Sequence, residues 1–234
     1  MKIPWKKDTK PMGVEFLSES EIKALFEQPD TTTKKGVRDL LLMIMLYDTG
    51  ARIQELLNLK ICDIQFGNAP TVKVLGKGSK YRYIPVMPKT MEHIRKYLKL
   101  YHSGRSDYTR EFLFYTEQKG IRAPISDDNV RKMLRQYADR ARSHCPSMPD
   151  NLHPHHFRHS RAMYLYQHGM DLALVSQWLG HANLETTLIY AHADTEMKRK
   201  AIEKASTGIC EIDIGVNDPN VLDDDVLKRF YGLR

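Results

Sequence analysis

The most informative residues of this 234-residue chain are cations and a tyrosine that follow one another in short motifs. Two histidines, an arginine and a tyrosine lie in the last eighty residues, and two more cations lie upstream. In chain order the set is Arg52, Lys77, His155, Arg158, His181 and Tyr190. Guanidinium and ammonium groups bind phosphate oxygens, and a phenol attacks phosphorus once it loses its proton. The set therefore indicates a site that grips a phosphate and attacks it.

The chemistry expected of this set is the cleavage of a phosphodiester. In-line displacement adds charge to the non-bridging oxygens, which the planar forks of Arg52 and Arg158 match in pairs. One well-placed donor of this kind is worth about 2.7–4 kcal/mol in the transition state. Tyr190 is the candidate nucleophile, and its phenol, with an ordinary pKa of about 10, needs cations or a base nearby. His155 and His181 are candidates for orienting groups or proton acceptors.

The leaving alkoxide needs a proton, which a lysine on a mobile hairpin can deliver. Lys77 lies in a Gly-Lys-Gly-Ser-Lys segment, where Lys80 is the competing candidate. We expect no cofactor and no metal, because the guanidinium and ammonium groups neutralise the charge themselves. The segment lacks the Walker A spacing, and the histidines between His144 and His159 do not reproduce a zinc-finger or HExxH spacing.

The composition indicates what kind of partner the chain has. Lys and Arg (36) outnumber Asp and Glu (29), for a formal net charge of +7. This surplus favours a polyanion, because phosphates neutralised by basic side chains release their counterions. Three scattered cysteines predict no disulfide framework, and the first residues lack the apolar core of a signal peptide. The longest apolar run, Leu40–Tyr47, is far shorter than the roughly 20 residues that cross a bilayer, so we expect a cytoplasmic protein with no membrane partner.

A mainly α chain with one small antiparallel sheet (α+β) must position these residues. Residues 18–21 form a capping box that opens a short helix, and the apolar run 37–47 predicts a buried helix, with a central strand as the competing interpretation. The other predicted elements are a helix over 52–59, strands over 62–66, 71–75 and 81–86, helices over 87–101 and 126–141, and helix from 155 to about 205, broken at Gly169 and Gly180.

The order of the motifs resembles that of the tyrosine recombinase (phage integrase) family. That family has Thr-Gly-x-Arg-x-x-Glu-Leu, Gly-Lys-Gly, His-x-x-Arg, Leu-Gly-His and a tyrosine shortly after Thr-Thr, and all five occur here in that order. The resemblance spans Glu15 to about Ala205 and implies the tyrosine recombinase catalytic-domain fold. It implies that the phosphate pocket consists of Arg52, Lys77, His155, Arg158 and His181. Tyr190 would then join to a DNA 3′-phosphate and release a 5′-hydroxyl. Glu55 is expected to support the pocket, or to form an ordinary helix pair with Arg52.

The same resemblance implies how the protein would work. A site-specific recombinase or integrase of this family acts on double-stranded DNA as four protomers on two duplexes, and needs neither ATP nor metal. We expect integration or excision of a mobile element rather than resolution of chromosome dimers. Three segments are expected: a linker or disordered N-terminus (1–13), the catalytic domain (14–205) and a tail (206–234). In the tail, Val221–Tyr231 predicts a short helix that would pack on a neighbouring protomer.

Two departures and two alternatives accompany this interpretation. His153 and Phe157 replace the more usual Thr or Ser and Leu, and neither change removes a reacting group. The helical core-binding domain common in the family is not found ahead of residue 14, so we expect a fragment or a minimal member. The alternative function is therefore a DNA-binding module without independent recombination activity. The segment Asp48-Thr49-Gly50 mimics an aspartic protease loop, but that fold is nearly all β and needs a second such carboxylate.

Overall fold

A computed structural model of the chain describes residues 15–76, 78, 80–104, 109–181 and 183–193. All of them belong to the first of two compact units, Met1–Asp194. The predicted linker 1–13, the tail 206–234 with its helix Val221–Tyr231, and Lys77 lie outside the described residues.

The described part of the chain is mainly helical, as expected, with short antiparallel strands between the helices. The helices are α1 (Glu19–Phe26), α2 (Lys34–Thr49), α3 (Ile53–Leu57), α4 (Pro88–Tyr101), α5 (Asp127–Ala141), α6 (Pro154–Gln167), α7 (Leu172–Leu179) and α8 (Glu185–Ala193), with a 3-10 turn at Ile61–Asp63. The strands are β1 (Ile64–Gln65), β2 (Thr71–Leu75), β3 (Tyr81–Pro85), β4 (Tyr115–Gln118) and β5 (Ile121–Pro124).

Helix α2 forms the centre of the main core. The Thr33 hydroxyl accepts a hydrogen bond from the Gly36 N–H and caps its start, and Gly50 ends it in the left-handed conformation at φ 57°. Leu41 and Leu46 are fully buried, because α4 and α6 both pack on α2. Burying one such side chain contributes about 1.5–3 kcal/mol. The run 37–47 is therefore a helix, and the competing strand interpretation is wrong.

The described residues form two separate sheets, whereas the sequence predicts one. The first has the order β1-β2-β3, with Val72 opposite Ile84 and Val74 opposite Arg82. The second, β4 with β5, was missed because its residues are mostly polar. Its signal was the turn at Lys119 and Gly120, which take φ 50° and 78° as a tight hairpin requires.

The helices after residue 153 form a smaller apolar cluster of their own. Helices α6, α7 and α8 meet around Ala162, Val175, Leu179 and the fully buried Tyr190. Among the described residues, no helix is both long enough and apolar enough to span a membrane. The breaks predicted at Gly169 and Gly180 are confirmed, so the described residues between 154 and 193 form three short helices rather than one.

Candidate active site

Three arginines from three different elements meet at the C-terminal end of α7. The last carbonyls of a helix have no partner within the helix and carry partial negative charge, so they attract cations. Three consecutive carbonyls each accept a guanidinium N–H: Trp178 from Arg82 Nε at 3.1 Å, Leu179 from Arg158 Nη2 at 2.7 Å, and Gly180 from Arg52 Nη2 at 3.4 Å. The convergence of Arg52 with Arg158, 106 positions apart in the sequence, is the central geometric fact of this site.

Arg158 projects from the first turns of α6 and is the most enclosed of the three arginines. Its side chain donates from Nη1 to the Gly50 carbonyl at 2.6 Å, so it joins the end of α2 to the end of α7. Burial, followed by the charge of Arg52, lowers the pKa of Arg158 to about 10. The guanidinium stays charged at neutral pH, but the negative charge around it does not balance its positive charge. Such an imbalance favours the binding of an anion.

Arg52 and Glu55 occupy the start of α3. The Glu55 carboxylate accepts the backbone N–H of Arg52 at 2.9 Å and its Nη1 at 2.9 Å. The predicted helix pair between residues three positions apart is therefore present. Glu55 also accepts two hydrogen bonds from Arg82. Burial alone would raise the pKa of Glu55, but the hydrogen bonds from Arg82 and Arg52, together with the charge of Arg82, lower it below its ordinary value. Glu55 is thus an ionised carboxylate that holds two of the three arginines.

Arg82 belongs to no motif and was missed in the sequence. Its side chain is only 14% exposed and lies on the inner face of β3. The signal available was the alternation of that strand, which places Arg82 on the same face as the buried Ile84. Arg52 and Arg82 pair with Glu55, and Arg158 bonds the Leu179 carbonyl beside them. These four side chains carry three positive charges and one negative charge, an excess of two positive charges.

Tyr190 is fully buried, and its hydroxyl shares a 2.9 Å hydrogen bond with Nδ1 of His159. Burial raises the pKa of the Tyr190 phenol to about 12, a shift that the charge of Arg158 opposes. Burial and the charge of His155 lower the pKa of His159 to about 4. The proton therefore stays on the phenol in this state. His159 was missed in the sequence, although it lies one helical turn after His155 on the same face of α6.

The two predicted histidines come from different segments, the start of α6 and the residue that follows Gly180 after α7. His155 is exposed near the start of α6, and its ring centroid is 6.3 Å from that of His159. His181 directly follows the α7 carbonyls, and its Nδ1 is 2.8 Å from the Thr187 hydroxyl. Burial, then the charges of Arg158 and Arg52, lowers the pKa of His181 to about 4. Partial burial and Arg158 also lower the pKa of His155. Both rings are neutral at pH 7 and can donate one hydrogen bond each.

The lysine of the β2–β3 hairpin is the one predicted site residue that cannot be placed, because Lys77 lies outside the described residues. The competing Lys80 is exposed at the end of that hairpin. The Gly76 N–H donates to the Lys80 carbonyl at 2.8 Å and closes the base of the loop. The choice between the two lysines therefore stays a prediction.

Asp48, the residue that suggested a protease, has a structural role. Its carboxylate accepts from Arg161 Nη2 at 3.1 Å and from the Met87 N–H at 3.2 Å, within a buried pair. A carboxylate occupied in this way cannot share a proton with a second one. Within the described ranges, no group of three or more His, Cys, Asp or Glu side chains could hold a metal ion.

Comparison with known sequences gives matches along most of the chain. The pattern of the Phage integrase family matches residues 15–197. Tyrosine recombinase XerC of Staphylococcus epidermidis is 37% identical over 189 residues, which cover 80% of this chain and 60% of that protein. Tyrosine recombinase XerA of Pyrococcus horikoshii is 34% identical over 189 residues, which cover 81% and 60%. The chain thus spans about 60% of the length of these relatives.

Comparison with solved structures gives the same fold. The XerH site-specific recombinase bound to a palindromic difH substrate, in a post-cleavage complex, superposes with a TM-score of 0.67 at 29% identity. The match covers 86% of this chain and 55% of that one. The XerA recombinase superposes with a TM-score of 0.66 at 28% identity, covering 82% and 63%.

Proposed function

The chain belongs to the phage integrase family, the tyrosine recombinases, and we propose that it is the strand-cleaving part of a site-specific DNA recombinase. The observation that supports this most is the meeting of Arg52 and Arg158 at the end of α7, with positive charge in excess. The relatives include a recombinase solved with its DNA substrate after cleavage. Double-stranded DNA is therefore the proposed partner.

In the proposed reaction, one DNA phosphate occupies the space in front of the two guanidinium forks. The Tyr190 hydroxyl passes its proton to His155 or His181, the candidate proton acceptors, as its oxygen attacks phosphorus; the bond to the 5′-oxygen breaks, and a 3′-phosphotyrosyl bond forms. The 5′-oxygen takes a proton, for which Lys77 is the proposed donor. His155 and His181, neutral at pH 7, donate hydrogen bonds to the non-bridging oxygens. A 5′-hydroxyl from a second duplex then attacks the phosphotyrosine. A new phosphodiester bond forms, and the bond between phosphorus and the Tyr190 oxygen breaks.

The state described here is not yet able to react. Tyr190 has no exposed surface and its hydroxyl is bonded to His159. The phenol must therefore leave the apolar cluster of α6, α7 and α8, which requires a shift of α8, before it reaches a phosphate. This burial is the observation that favours the second candidate function, a module that binds DNA without recombining it on its own.

One assay separates the two functions. The full chain is incubated with a pool of nicked duplexes of randomised sequence, and SDS-resistant protein–DNA adducts are separated from DNA that is merely retained. We expect adduct from the wild type, and retained DNA without adduct from Tyr190→Phe. Retention without adduct in the wild type would support the binding module instead. Arg52→Ala and Arg158→Ala should each slow adduct formation by about 10²–10³-fold, the usual cost of one oxyanion donor.

The biological setting is a finer proposal. We propose that the DNA belongs to a mobile element that is integrated or excised, on the basis of the diverged residues His153 and Phe157 within the motif. The similarity to proteins named XerC adds no support to this setting. Sequencing the DNA recovered in the adducts decides the point, because ends of a mobile element would be enriched. Assembly of four protomers on two duplexes is likewise proposed, and the mass of the DNA complex tests it.

A further inference from the structure

Arg82 lies where three elements of the site meet, although no motif marks it. On β3 the neighbouring side chains Tyr81 and Tyr83 are 59% and 57% exposed, whereas Arg82 and Ile84 face inward. Arginine is rarely enclosed in a protein unless its charge is paired. The position of this side chain therefore needs a reason in the structure around it.

All three guanidinium nitrogens of Arg82 donate hydrogen bonds. Nη1 and Nη2 donate to the two oxygens of Glu55 at 3.1 and 2.7 Å, and Nε donates to the Trp178 carbonyl at 3.1 Å. A planar fork makes this set of bonds, and an ammonium group does not. Arg82 thus joins the sheet to α3 and to the end of α7.

Two glycines leave the room that this guanidinium needs. A Cβ at Gly180, which has φ +66°, would lie 3.0 Å from Nη1 of Arg82, and a Cβ at Gly76 would lie 3.2 Å from the same atom. Gly180 also gives its carbonyl to Arg52, and Gly76 directly precedes Lys77. The guanidinium is therefore packed against the two backbone segments that lead to His181 and to Lys77.

The sharing of Glu55 affects the direction of Arg52. Oε1 of Glu55 accepts both from Arg52 at 2.9 Å and from Arg82 at 3.1 Å. Without Arg82 the whole carboxylate would be open to Arg52, since side-on pairing of arginine with a carboxylate uses both oxygens. Such a pair would turn the fork of Arg52 toward Glu55 and away from a bound phosphate.

We propose that Arg82 is a positioning residue that keeps Arg52, the end of α7 and the base of the β2–β3 loop in one register for anion binding. It acts through Glu55 and Trp178 rather than on the substrate. The identity of the anion, a DNA phosphate, rests on the proposed function. The contacts of Arg82 on which the inference is based do not depend on any DNA sequence.

Inorganic sulfate is the probe for the test, because it is a divalent tetrahedral anion that needs no DNA site. The full chain is titrated with sulfate while the Nε–H signals of Arg52 and Arg158 are followed by NMR. Arg82→Gln should weaken sulfate binding about 10- to 100-fold, the range expected when a binding group is misplaced by about 1 Å. Arg82→Lys, which keeps the charge without the fork, should fall between that variant and the wild type.

Arg122→Gln is the matched control. Arg122 lies on β5, in the other sheet, and it also pairs with two carboxylates: Glu111 at 2.8 Å and Glu117 at 3.0 Å. This variant should lose stability by a similar mechanism and keep wild-type sulfate affinity, so it separates positioning from folding. Circular dichroism confirms that each titrated variant is folded.

Wild-type sulfate affinity in Arg82→Gln would overturn the proposal, and if that variant does not fold, wild-type affinity in Arg82→Lys would do so. The absence of a saturable response in the wild type would also overturn it, because the pocket would not be preorganised. A chain that gives the expected sulfate results but forms no covalent adduct with DNA keeps the role of Arg82 and loses the proposed function.

Discussion

Substitution of Gly180 by alanine tests the packing of the site in a quantitative way. The residue has φ +66°, where an L side chain costs about 1–2 kcal/mol. Its new Cβ would also lie 3.0 Å from Nη1 of Arg82 and 3.1 Å from two of its carbon atoms. Overpacking of this kind costs about 1–3 kcal/mol. We therefore expect a total loss of about 2–5 kcal/mol in the free energy of unfolding.

Gly169→Ala supplies the matched control. Gly169 has φ +89°, and a Cβ there would meet no atom within 4 Å. It should cost only the backbone strain, about 1–2 kcal/mol. Urea denaturation followed by circular dichroism measures both losses. A chain of this size also shifts its Tm by about 2–4 °C per kcal/mol, so thermal melts give a second reading.

The decisive quantity is the difference between the losses of unfolding free energy in Gly180→Ala and Gly169→Ala. In an Arg82→Ala background the extra cost of Gly180→Ala should disappear, because the contacting side chain is gone, and only the strain should remain. Equal losses for Gly180→Ala and Gly169→Ala in the wild-type background would refute the close packing of Arg82 against α7. An extra cost that persists without Arg82 would assign the clash to another neighbour.

Three further predictions follow from the buried groups. Tyrosinate absorbance, taken as wild type minus Tyr190→Phe, should titrate near pH 12; titration at or below pH 10 would contradict the burial of the phenol. The pKa of His181 is lowered from 6.5 to about 4, so the unfolded chain binds more protons and stability falls as the pH drops from 6.5 to 4. His181→Gln should reduce that loss, and an unchanged pH profile would argue against it. Asp48→Asn should cost about 3–5 kcal/mol by leaving the Arg161 guanidinium buried without a carboxylate, whereas Asp127→Asn, in a more exposed pair, should cost about 1 kcal/mol or less.

The motifs predicted the part of the site that depends on residue type and chain order. Arg52 and Arg158 were paired because each follows a recognisable local signal, and the structure brings both to the end of α7. The capping box at 18–21 and the glycine breaks at Gly169 and Gly180 were likewise predictable, since each depends on a few neighbouring residues. Local chemistry of this kind can be read directly from a sequence.

The parts that were missed depend on pairing across the chain. Arg82 resembles an ordinary strand residue until Glu55 and Trp178 are placed beside it. His159 was present in the motif, but its partner Tyr190 follows 31 residues later, on a helix whose packing no periodicity defines. Burial of the Tyr190 phenol could not be predicted either, because the apolar cluster that encloses it is formed by three separate helices.

The most direct test of the account is to identify the residue that carries the DNA after cleavage. Full-length chain is trapped on a nicked duplex recovered from the randomised pool, digested, and analysed by mass spectrometry. We expect a nucleotide phosphate on the peptide that contains Tyr190, and no such peptide from Tyr190→Phe. A nucleotide on any other side chain, or wild-type yield of adduct from the phenylalanine variant, would contradict the assignment of the nucleophile.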